Sequence, residues 1–251
     1  MGEPKRRGDY PAGWRTADAA RSYELDLARE GLYGGWLEQR ERELLIDVVD
    51  RWLGTRPIRH LDFACGTGRI AATLQAQVAS TTGVDMSPEM LTVAKDRLPQ
   101  AELVSGDIVA DPSILHGRYD LITAFRFFLN AGKPLRNDVL GVLRGALADD
   151  GILLFNVHSN AWSLRAVSVL IRRLVLHQDW WNQLSYPTVR NELRDRGFEV
   201  VELHGYNYLT SKGYRLLPTA WVLGLERTLS RLQPLRYVAV DLLFVCRKTR
   251  G

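Results

Sequence analysis

The chain has 251 residues, of which 46% are apolar and 25% charged, with a net charge of +4 and a pI near 9.2. Those values suit one large folded domain and exclude disorder as the default, while so mild a basicity permits contact with phosphates without requiring it. The opening MGEPKRRGDYPAGW has no apolar centre and no stretch reaches about 18 uninterrupted apolar residues, so neither a signal peptide nor a membrane-spanning helix is expected. Cys65 and Cys246 stand far apart, without metal-ligand spacing. They read as free thiols of a reducing, cytoplasmic protein with no metal site.

Residues 16–53 read as helical. Leu25, Leu27, Leu32, Trp36 and Leu37 give an apolar pattern broken by Gly31, Gly34 and Gly35; Leu44, Leu45, Val48, Val49, Trp52 and Leu53 then recur at helical spacing, and Gly54 falls where helices commonly stop. After Pro57, residues 58–64 form a predicted strand that runs into Cys-Gly-Thr-Gly, and 69–79 a helix. Further strands are predicted over 82–85, 101–105, 119–125 and 151–158, with helices opening at Ser87-Pro88-Glu89 and covering 138–148. Strands with near-continuous apolar runs that alternate with helices argue for a mostly parallel sheet covered on both faces. A helix from Ser185 to Gly197, a strand over 198–203 and a last strand over 237–247 complete the pattern. Two insertions, 160–184 and 210–236, bring in Trp162, Trp180, Trp181 and Trp221.

The densest signal is HLDFACGTGRIA, residues 60–71. A buried strand delivers the chain to a sharp turn, where Gly66 and Gly68 allow unusual dihedrals and close approach of a ligand to the backbone. The next helix offers unsatisfied N–H groups at its start. A glycine turn of this kind also suits the pyrophosphate of a dinucleotide, which leaves an oxidoreductase open. Asp62 separates the two readings, because a carboxylate at the mouth of the turn repels a pyrophosphate and suits an ammonium or ribose hydroxyls.

LDFACGTG resembles the first motif of the class I S-adenosylmethionine-dependent methyltransferases. GVDMSPEML (83–91), GDI (106–108), YDLITAF (119–125) and LADDGILLFNV (147–157) match later segments of that family in order. The resemblance covers roughly residues 44–158; GFEVVEL and VAVDLLFVCRK are similar to its sixth strand and antiparallel seventh. It implies a single Rossmann-like, doubly wound α/β domain, mostly parallel. Residues 1–43 would form a helical cover, with Tyr10, Trp14, Tyr23, Tyr33 and Arg40 as candidate cofactor contacts; 44–158 would form the cofactor-binding core, and the insertions would lie on the substrate side. It implies S-adenosylmethionine as cofactor and S-adenosylhomocysteine as product. Asp85 would accept the ribose hydroxyls, Met86 pack on adenine, Asp107 bind the adenine amino group and Ile108 lie beside the ring. Asp62, Ala64, Gly66, Gly68 and Phe125 would complete the cofactor site.

Acceptor groups are expected from the ends of the fourth and fifth strands. Arg126, Phe128, Asn130 and Asn160 are the candidate substrate contacts. His158 is the candidate general base, since an imidazole titrates near neutral pH. The expected acceptor is a small molecule carrying a hydroxyl. No nucleic-acid partner is expected: the loop AFRFFLN lacks the Asn/Asp-Pro-Pro-aromatic segment of enzymes that methylate exocyclic base amines, although an RNA methyltransferase stays open as the alternative. The segment WSLRAVSVLIRRLVL (162–176) is too short and too charged to span a bilayer. A lid over an apolar pocket or an ordinary packed helix are its favoured readings, and a helix lying on a membrane surface the less favoured one.

Overall fold

The computed structural model describes residues 31–176, 183–209 and 218–249. Tyr10, Trp14, Tyr23, Trp180 and Trp181 lie outside the described residues, as does the expected helical cover before residue 31. Helix α1 (Gly31–Leu53) carries the apolar row read from the sequence and runs through Gly34 and Gly35 without a break. Then come β1 (Arg59–Phe63), α2 (Arg69–Leu74), β2 (Ser80–Asp85), α3 (Pro88–Arg97) and β3 (Glu102–Ser105). β4 (Tyr119–Ala124), α4 (Lys133–Ala146) and β5 (Leu147–Val157) follow. α5 (Leu164–Leu176), α6 (Tyr186–Asp195), β6 (Phe198–Tyr206), α7 (Thr219–Arg231) and β7 (Asp241–Lys248) complete the described elements.

The strands form one seven-stranded sheet in the order β3-β2-β1-β4-β5-β7-β6. β1 to β5 pair in parallel, and β7 is antiparallel to both neighbours. Along β5 the side chains alternate between two cores. Leu153, Phe155 and Val157 join Phe128, Leu140, Leu143 and Phe244 on one face; Ile152 and Leu154 join Leu45, Val48, Ile70 and Leu74 on the other. Burial on both faces explains why the strand reads as a continuous apolar run. The order reverses between β1 and β4, so the crossovers leave in opposite directions and open a crevice beyond the carboxyl ends of those strands.

Element edges depart from the sequence reading where tertiary hydrogen bonds intervene. β5 begins at Leu147, which pairs with Tyr119 across a bulge before the regular ladder starts at Ile152. Tyr237 and Val238, expected to open the last strand, instead end a 3-10 helix over Gln233–Val238. The following carbonyls of Ala239 and Val240 accept from Asn160, so the ladder of β7 starts only at Asp241. Helix α3 starts as the sequence implies, with Ser87 Oγ accepting from Met90 N and Pro88 at the first turn.

Candidate active site

The crevice holds a cavity lined by Asp62, Ala64, Gly66, Asp85, Met86 and Ser87 on one side and by Phe125, Arg126, Asn130 and His158 on the other, with Cys65, Thr67, Arg69, Ile70 and Met90 also in its wall. The lining comes from the ends of β1, β2, β4 and β5, where an open α/β sheet places its ligand. No single segment of sequence contains it.

The glycine turn is held by carboxylates. Asp85 Oδ2 accepts from Gly66 N and Oδ1 from Ser87 N, both at 2.9 Å. Burial pushes the Asp85 carboxyl up from its ordinary range, and the N–H groups of Ser87 and Gly66 oppose that shift. Asp62 lies beneath the turn, its Oδ1 accepting from Thr123 Oγ1 at 2.7 Å and its Oδ2 from Ala71 N at 3.2 Å. Burial raises its pKa to about 7 against those two hydrogen bonds. Thr123 also meets His60 Nε2 at 2.8 Å. Because the Thr123 hydrogen goes to Asp62, His60 must donate from Nε2, which leaves its Nδ1 buried and unpartnered.

The two glycines do different work. Gly66 has φ +54, and a Cβ built on it meets nothing within 4 Å, so its bare backbone faces open space in the cavity wall. Gly68 has φ +75, and a Cβ there would stand 2.6 Å from Leu98 Cδ1. Gly68 is not among the lining residues; it lets α2 pack against the end of α3.

On the acceptor side, Arg126 has φ +58 and its N–H donates to Asn156 Oδ1 at 2.7 Å. Asn130 Nδ2 donates back to Arg126 O at 2.5 Å. The loop is pinned from behind by the buried pair Arg136–Glu192, with Arg136 Nη1 also donating to Ala131 O at 2.6 Å. Phe128, expected to touch substrate, is instead a core residue: its ring stacks on Phe155 with centroids 3.9 Å apart. Asn160 is fully buried, its Nδ2 donating to Tyr237 O and Ala239 O at 2.7 and 2.8 Å and its Oδ1 accepting from Trp162 N. All its polar atoms are committed to backbone, and it does not line the cavity.

Asp107 and Ile108 are likewise absent from the lining. Asp107 Oδ1 caps its own turn through Val109 N and Ala110 N, and Ile108 is buried in the core. His158 does line the cavity, and its Nδ1 is buried without a partner. Burial, then the charges of Arg126 and Arg165, lower its pKa to about 3.

Glu41 is not among the candidates that the sequence offers, yet it joins both sides of the site. Its carboxylate accepts from Arg69 Nη1 at 2.6 Å, Tyr206 OH at 3.1 Å and Asn156 Nδ2 at 3.4 Å. Its signal was present: Glu41 falls on the row continued by Leu44, Leu45 and Val48, and a carboxylate on the apolar face of a helix needs a partner.

A family model described as a methyltransferase domain matches residues 36–203. The chain is 37% identical over 177 residues to a magnesium-protoporphyrin O-methyltransferase of Rhodobacter capsulatus, covering 68% of each chain. It is 31% identical over 157 residues to a trans-aconitate 2-methyltransferase of Rhodopseudomonas palustris, covering 61% of this chain and 56% of that one. The chain spans about half the length of the curated relatives that it matches first (43%, 56% and 42%). Among solved structures, the magnesium protoporphyrin IX methyltransferase of Synechocystis with bound S-adenosylhomocysteine superposes with a TM-score of 0.63 at 14% identity, over 93% of this chain and 98% of that one. That likeness is one of fold.

Proposed function

The chain belongs to the methyltransferase-domain family of class I S-adenosylmethionine-dependent enzymes, and on that premise we propose that it transfers a methyl group from S-adenosylmethionine to an oxygen of a small molecule. The observation that carries this reading is the shared cavity, in which the turn at Gly66, Asp85 and Met86 faces the acceptor-side residues Arg126, Asn130 and His158. This membership removes the dinucleotide reading of the glycine turn.

The residues present fit the cofactor. Gly66 leaves space where any side chain would intrude, and Asp85, ending β2, brings a carboxylate to the position suited to ribose hydroxyls. The exposed side chain of Met86 offers an apolar surface for a flat base. When bound, S-adenosylmethionine supplies an electrophilic methyl whose departure removes one positive charge from the site.

His158 is neutral at neutral pH and lines the cavity, so its imidazole is the group there suited to take a proton from an acceptor hydroxyl. Taking that proton replaces the positive charge just lost, which limits the electrostatic cost of an imidazolium near Arg126 and Arg165. The loop held by Asn156, Asn130 and Arg136 orients the acceptor, and such positioning supplies much of the rate in displacement reactions.

A carboxylate acceptor is the second reading. It needs no base, and the low basicity of His158 together with Arg126 in the wall favours it. Formation of S-adenosylhomocysteine with hydroxylated and carboxylated acceptors, by wild type and His158→Ala, tests both. With a hydroxyl acceptor the variant should lose about 10²–10⁴-fold in turnover; with a carboxylate it should lose little. Failure of the protein to bind S-adenosylhomocysteine at all would overturn the reading.

A further inference from the structure

Two helices at the carboxyl edge of the sheet carry apolar rows turned toward solvent. Along α5, Leu164, Val167 and Ile171 follow at spacings of three and four and are 69%, 56% and 56% exposed, with Leu170 beside them. The inward side of this helix is already occupied by buried Ala166. Along α7, Trp221 is 74% exposed and Leu225 continues its row, while Val222 and Glu226 face inward. Glu226 Oε1 accepts from Tyr208 N and Leu209 N. A helix on the surface of a globular domain turns one apolar stripe to the core and a polar face to water. Here, among the described side chains, Ala166, Val222 and Glu226 take the inward positions and apolar rows remain outside.

Both rows flank the site. β5 and β6 each run antiparallel to β7, so both end at the same edge, and α5 and α7 follow from there. Asn160 ties the start of α5 to residues 237–240, just beyond α7. Arg165, in the first turn of α5, is near enough to His158 for its charge to be felt there.

The charge of this face is of one sign. In segments 160–171 and 218–238 the basic residues are Arg165, Arg227, Arg231 and Arg236, and the single acid is Glu226, buried and hydrogen-bonded to backbone. Exposed tryptophan and aliphatic side chains among arginines match a bilayer interface, where apolar groups enter the acyl boundary and guanidinium groups meet phosphates. A second copy of this face in a two-fold contact would set arginines against arginines. We propose that the outward rows of α5 and α7 seat the protein on an anionic lipid surface, with Leu164, Ile171 and Trp221 inserted and Arg227 and Arg231 on the headgroups. The sequence alone favours a lid or a packed helix for 162–176; the outward turn of Leu164, Val167, Leu170 and Ile171 is what reverses that preference.

Flotation of the full chain with phosphatidylcholine vesicles carrying phosphatidylglycerol at about one lipid in three tests the proposal. The wild type should float with these vesicles, fail to float with phosphatidylcholine alone and be released by salt. The combined substitution Leu164→Gln, Ile171→Gln and Trp221→Gln should lower partitioning by about tenfold or more, as should Arg227→Glu with Arg231→Glu. Unchanged S-adenosylhomocysteine binding shows that both variants fold. No flotation of the wild type, or equal flotation of variants and wild type, overturns the proposal. So does a wild-type dimer in sedimentation equilibrium that the triple substitution dissociates, since the face would then be a contact between copies.

Discussion

Glu41, itself buried, and the partly buried Arg69 form an ion pair at 2.6 Å that joins helix α1 to the first residue after the glycine turn. The other oxygen of Glu41 takes Tyr206 OH and Asn156 Nδ2, and Asn156 in turn holds the N–H of Arg126. One carboxylate therefore connects the cofactor side of the cavity with the acceptor loop. Glu41→Ala should destabilise the fold by about 3–5 kcal/mol, the usual cost of removing one partner of a buried pair, and should weaken S-adenosylhomocysteine binding. Glu41→Gln, which retains an oxygen for Tyr206, should lose less of both. Urea unfolding and calorimetric titration read the two effects; an alanine variant as stable as wild type would remove Glu41 from this role.

Gly66 and Gly68 should respond differently to alanine, although both have positive φ. The left-handed conformation costs each variant about 1–2 kcal/mol. At Gly66 the methyl meets open space in the cavity wall, so the protein should remain folded and lose affinity for S-adenosylhomocysteine. At Gly68 it meets the side chains of Leu98 and Ala94, so a fall in melting temperature should dominate. Equal affinity loss at equal stability in the two variants would contradict this division.

His60 gives stability a pH dependence of known sign. Burial lowers its pKa from 6.5 to about 3 in the folded protein. Between those values the unfolded chain binds the proton and the folded one does not, so this contribution is full above about pH 6.5 and is lost as pH falls toward 3. From pH 7 to pH 5 it removes about 2 kcal/mol. His60→Gln keeps a donor for Thr123 and does not titrate, so its stability should fall less over that interval. Parallel pH profiles for variant and wild type would show that His60 does not remain neutral in the folded protein. Asp62 and Asp241, both raised to about 7 by burial, act with the opposite sign, and for this reason the comparison is made between variant and wild type.

The parts of this molecule that were legible in sequence are those fixed by local chemistry. The turn around Gly66 needs glycine for its dihedrals, Ser87 and Pro88 set a helix start, and an apolar run marks each doubly buried strand. Residues whose roles depend on a distant partner are not legible in that way. Phe128 reads as a pocket aromatic until Phe155 of the next strand is seen stacked on it. Asn160 reads as a substrate contact until the carbonyls of residues 237 and 239 are found on its amide. Glu41 gains meaning only from Arg69, Asn156 and Tyr206, which come from three other elements.

Asn160 and His158 lie two residues apart and should separate stability from chemistry. Asn160→Ala leaves two carbonyls and the Trp162 N–H without their side-chain partner, and a buried polar group left unpaired costs about 1–3 kcal/mol. Its melting temperature should therefore fall, while turnover per folded molecule stays close to wild type. His158→Ala removes an imidazole whose Nδ1 already lacks a partner, so its cost to the fold is mainly lost packing. Its turnover with a hydroxylated acceptor should fall while affinity for S-adenosylhomocysteine holds. Thermal unfolding alongside single-turnover rates distinguishes the two, and a His158→Ala enzyme as fast as Asn160→Ala would remove His158 as the base and leave the carboxylate acceptor as the better reading of this site.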